Sequence, residues 1–155
     1  YACATPCTGW DLGSLLRHMN DSLLALHEAA DTGDVGLVPV AAAGDPATLW
    51  RERAGGLLGA WTNADDRAVV SVAGCPITTA VVASTGALEV AVHAWDVAQA
   101  RGGRGLPKEL AEELFTLAPL LVDEADRPGR FGAAIAPPPQ SGAADRLVAF
   151  LGRRP

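Results

Sequence analysis

The segment GALEVAVHAWDVAQA, residues 86–100, is almost wholly small or aliphatic, yet it carries Glu89, His93 and Asp96. Offsets of four and then three residues set these side chains on one stripe of an α-helix. A carboxylate and an imidazole one turn apart can converge on a single cation above the helix surface. The other residues of the segment before Gln99 are Gly, Ala, Val, Leu and Trp, the composition of a helix packed on most of its circumference. A stripe that simply faces water is the alternative. A divalent metal needs a further ligand, and His18, bordering an apolar face on a different predicted helix, is the best candidate. Taken alone it would be read as a hydrogen-bonded structural histidine. Two imidazoles, one carboxylate and an open fourth position form the pattern of a catalytic rather than a structural zinc site. Asp96 can accept a hydrogen bond from His93 and fix its tautomer, or it can cap or face solvent.

Other reactive side chains offer less. Cys3 and Cys7 form C-x-x-x-C with no second pair, and Cys75 beside Pro76 has no evident base. The run RGGRG lacks the Lys-Ser/Thr ending of a phosphate loop and falls at the end of a predicted helix, where the dipole repels phosphate. No serine nucleophile elbow is present. Trp10, Trp50, Trp61 and Trp95 read as core or pocket walls, with Trp10 and Trp95 the candidates to line a ligand site.

The elements that must position these residues are helical. After the turn TPCTGWD, Leu12, Leu15, Met19, Leu23 and Leu26 recur at helical spacing and predict a helix from about 11 to about 30. His18 sits at the margin of that face beside Ser14, Ser22 and Ala25, while His27 falls well round the helix and is expected to be solvated. Residues 31–44 read as a loop. Asp45-Pro46 is a strong helix start, and the helix continues to Trp61. AVVSVAGCPITTAVVAS is β-branched at its start and broken at Gly74 and Pro76, a short extended excursion before a long apolar helix from Thr78 or Thr79 to Arg101, stopped by Gly102-Gly103. A further helix is predicted over 107–125, a loop containing a triple proline over 126–142, and a short last helix stopped at Gly152. The class is all-α, in one domain spanning 1–155.

With 155 residues, 49% hydrophobic and 19% charged, the chain is globular, and no apolar run is long enough to span a bilayer. A net charge of −6 argues against a nucleic-acid partner, because a polyanion is bound through a basic surface that releases counterions. Three cysteines are odd in number and too few for a disulfide framework, so a reducing cytoplasm is the expected location.

TPCTGWDLGSLLRHM, followed far downstream by GALEVAVHAWDVAQA, resembles the DinB-like metalloprotein superfamily, in its actinobacterial branch related to mycothiol-dependent maleylpyruvate isomerases. The resemblance extends to the ending LAPLLVDEADRPGRFG and DRLVAFLGRRP. It implies a four-helix bundle with a long crossover, plus C-terminal helices, and a divalent metal, usually zinc, held by His18, Glu89 and His93. The helix that precedes the TPC turn in such proteins is absent from this sequence; either the chain continues upstream of Tyr1, or a partner chain, a second copy in a homodimer, supplies that wall. The implied activity is that of a metal-dependent, mycothiol-using transferase or isomerase acting on a small electrophile. Hydrolysis by metal-activated water would use the same ligands. A non-catalytic bundle that binds a metal or ligand is the alternative from another class.

Overall fold

The computed structural model describes residues 1–38, 43–64, 67–127 and 129–155. The loops predicted over 31–44 and 126–142 therefore fall partly outside the described residues, at 39–42 and 128. The described chain is dominated by five α-helices: α1 (Leu12–Asp31), α2 (Pro46–Asn63), α3 (Thr79–Arg101), α4 (Lys108–Leu121) and α5 (Ala143–Phe150). Three short strands, β1 (Asp34–Val35), β2 (Val69–Val72) and β3 (Cys75–Thr78), make a small sheet. Among the described residues no helix is long and apolar enough to cross a membrane. The chain separates into two compact units, one of Tyr1 with Gly13–Val90 and one of Ala2–Leu12 with Ala91–Pro155.

In the first unit Leu15, Met19 and Leu23 of the α1 stripe are buried, Leu15 and Leu23 at or near zero exposure, and Leu26 is half-buried. Asp45 caps α2: its carboxylate accepts from the Thr48 amide at 2.8 Å, and Pro46 occupies the first helical turn, where its missing N–H costs nothing. The helices α1 and α2 are tied by polar contacts, Asn20 Nδ2 to the Pro46 carbonyl at 2.9 Å and the Arg53 guanidinium to the Asn20 carbonyl at 2.8 Å. His27 belongs to the same seam. Predicted to be solvated, it is half-buried, and its Nε2 lies 2.9 Å from the Arg53 carbonyl, because α2 covers that side of α1. Gly86 lets α3 approach α1: a Cβ there would fall 2.4 Å from a Leu26 methyl.

The expected extended excursion is a β-hairpin. Ala73 and Gly74 form its two-residue loop, both with positive φ, the turn geometry whose twist matches paired strands. Pro76 does not break the strand, because β3 lies at the sheet edge, where a residue without an N–H is tolerated. β1, inside the segment predicted as loop, pairs in parallel with β2, and Val35 and Val70 pack with Ala29 beneath it.

In the second unit α4 and α5 bury Ala111, Leu114, Ala118, Leu147 and Val148. The helix predicted over 107–125 stops at Leu121; Val122 is extended, and Asp123 caps a separate 3₁₀ turn, Glu124–Asp126. Both α3 and α5 end in the same way. Gly102 and Gly152 take positive φ, and the next amides, Gly103 and Arg153, reach back to the carbonyls of Ala98 and Val148 at 2.7 and 2.9 Å. At Gly152 the backbone passes so close to Gly132 that a Cβ would stand 2.6 Å from it.

Candidate metal centre

In the first unit α1 and the first half of α3 bring His18 and Glu89 together, with Nε2 and Oε1 2.6 Å apart. Ser22, one turn beyond His18, donates to the same carboxylate oxygen at 2.9 Å and so steadies its rotamer. Two donors that share one small cation, each about 2 Å from it, stand about 3 Å apart, so this pair is close to the separation a metal would demand.

In the second unit the continuation of α3 carries His93, one turn after Glu89, and Asp96. His93 Nδ1 lies 2.9 Å from Asp96 Oδ2, and both side chains are buried. Burial pushes the Asp96 carboxyl up, but hydrogen bonds from His93 and Arg153 and the charge of Arg153 outweigh it and hold the group below the usual carboxylate range. An ionised carboxylate only accepts, so the imidazole donates from Nδ1; in the neutral ring the lone pair is then on Nε2, the form in which histidine ligates metal. Trp10 stacks on His93, with ring centroids 6.4 Å apart, whereas Trp95 is buried in the core.

Two participants were not singled out from sequence. Cys7 Sγ donates to Asp96 Oδ2 at 3.2 Å and lies 3.9 Å from His93 Nδ1. It is placed by the N-terminal turn: Trp10 N–H donates to the Cys7 carbonyl at 3.0 Å, Gly9 supplies the positive φ, and the Cys7 amide donates to Thr5 Oγ1 at 3.2 Å. Arg153 is the second. Its Nε reaches Asp96 Oδ1 at 3.1 Å and its Nη2 reaches Oδ2 at 2.9 Å. The only sequence signals were a cysteine at a turn and an arginine just past a helix-stopping glycine, neither of which states what it touches.

Cys7, His93 and Asp96 are themselves close enough to offer three donors to a cation. The guanidinium of Arg153 argues against that use, since it already occupies the carboxylate and lies 3.7 Å from the thiol, where it would repel an ion. The cluster reads instead as a hydrogen-bonded support that orients His93.

The description Mycothiol maleylpyruvate isomerase N-terminal domain matches residues 1–98. The chain belongs to this family, within the DinB-like superfamily. The matched span of the mycothiol maleylpyruvate isomerase N-terminal domain includes Cys7, His18, Glu89, His93 and Asp96, and leaves Arg153 outside it. Among the curated proteins and solved structures compared, none matches the chain.

Proposed function

We propose that this protein is a metal-dependent, mycothiol-using transferase or isomerase that acts on a small electrophile, with His18, Glu89 and His93 as the metal ligands. The family match carries this reading, because its span holds all three donors. The contact of His18 with Glu89, the helical offset from Glu89 to His93 and the contact of His93 Nδ1 with Asp96, which leaves Nε2 for a cation, support it. Zinc suits a donor set of two neutral imidazoles and one carboxylate.

When bound, the cation supplies Lewis acidity that favours the thiolate of an entering thiol at neutral pH. Glu89 contributes the single negative charge among the ligands, leaving the site net positive towards that thiolate. Ser22 holds the Glu89 carboxylate in one orientation, and Asp96 does the same for the His93 imidazole. Trp10 shields one face of that imidazole from water. Addition to the electrophile followed by elimination gives isomerisation, and displacement gives sulfur transfer.

Elemental analysis of the purified chain beside a His18→Ala, Glu89→Ala, His93→Ala triple variant tests the ligands, with about one ion per chain expected in the wild type and none in the variant. Turnover of a small electrophile that depends on added mycothiol tests the activity. Metal retained with no thiol-dependent turnover would favour the non-catalytic binding protein.

A further inference from the structure

The family match ends before the last third of the chain, yet the tail returns a charged side chain to α3. Arg153 follows Gly152, whose positive φ ends α5 and turns the chain back on itself; the Arg153 amide is then held by Val148. The side chain is buried with three sets of partners. Its Nε and Nη2 grip both oxygens of Asp96, its Nη1 donates to the Leu151 carbonyl at 3.1 Å, and its Nη2 lies 3.7 Å from Cys7 Sγ.

A carboxylate held at one oxygen can still swing about its last torsion. One held by a planar fork cannot, because both N–H bonds lie in the carboxylate plane. Oδ2 is therefore held in one place, and His93 Nδ1 stands 2.9 Å from it. Cys7, His93 and Arg153 can each donate to Asp96, so Asp96 accepts from His93 Nδ1, and the neutral imidazole then has its lone pair on Nε2.

We infer that Arg153 is a positioning residue: through Asp96 it selects the tautomer and ring orientation in which His93 can ligate a metal. The inference rests on the proposed role of His93, and it makes the last turn of the chain part of the site. Outer partners of this kind, when lost, weaken metal affinity by about 10–100-fold.

The test uses the full-length protein, metal-free and zinc-loaded, as wild type, Arg153→Lys and Arg153→Ala. Long-range proton–nitrogen NMR at fixed pH reads the His93 tautomer in the metal-free chain, and chelator competition reads zinc affinity. The wild type is expected to show His93 with Nδ1 protonated only. Arg153→Ala should mix the two tautomers and lose about 10–100-fold in zinc affinity, with Arg153→Lys in between because it keeps the charge and loses the fork. His18 should keep its metal-free signals in both variants. If Arg153→Ala does not fold, Arg153→Lys decides, and a wild-type tautomer there overturns the inference. A fall in zinc affinity with the tautomer unchanged also overturns it, since that is general loosening rather than positioning. A wild type that binds no zinc defeats the proposed function, while the tautomer in the metal-free variants still decides the role of Arg153.

Discussion

His18 meets Glu89 with side chains 38% and 28% exposed, whereas His93 meets Asp96 at 8% and 0%. Both are close carboxylate–histidine contacts, at 2.6 and 2.9 Å, but their surroundings give them different work. The first pair is half in water, so its hydrogen bond can be exchanged for another partner, such as a cation, at little cost. The second is enclosed by Cys7, Arg153 and Trp10, and its members have no such freedom. Taking a carboxylate and a guanidinium out of water is costly, and their pairing offsets that cost only while both remain in place. Donors that must rearrange around an ion stay accessible, and the group that must hold one orientation is buried.

The largest effect should come from breaking the buried side. Asp96→Ala leaves the Arg153 charge buried without its partner and should cost about 3–5 kcal/mol of folding stability, read by urea denaturation. A loss under about 1 kcal/mol would erase the distinction between the two pairs. Gly152→Ala comes next: the positive φ and the approach to Gly132 should together cost about 2–4 kcal/mol and displace Arg153, so zinc affinity should fall with stability. His27→Ala removes one contact with the Arg53 carbonyl and should cost about 1 kcal/mol while leaving metal content unchanged. Equal loss of metal from His27→Ala and His93→Ala would remove the ligand assignment. The smallest effect on folding should be that of His18→Ala, under about 1 kcal/mol in the metal-free protein, although the same variant should no longer retain metal.

The helices were legible because their signals are local. The leucine spacing of α1, the Asp45-Pro46 start of α2 and the glycine stops at Gly102 and Gly152 each act within a turn or two of the residues that show them. Signals failed where the decision is non-local. His27 lies off the apolar stripe of its own helix, and only the packing of α2 against α1 makes it half-buried. Pro76 reads as a breaker until β3 is known to be an edge strand. The predicted helix over 107–125 ran past its end because acidic and apolar residues continue beyond Leu121, while Asp123 starts a new turn instead.

The site divides along the same line. Glu89, His93 and Asp96 stand on one helical stripe by spacing alone, and the sequence by itself determined that His93 has a carboxylate a turn away on either side. Only the tertiary structure decided which of the two is buried against it. Helical periodicity sets direction around an axis, but burial and partnership depend on what the distant chain brings. Here Cys7, 86 residues before His93, and Arg153, 57 residues after Asp96, close around the Asp96 carboxylate and make it an oriented acceptor.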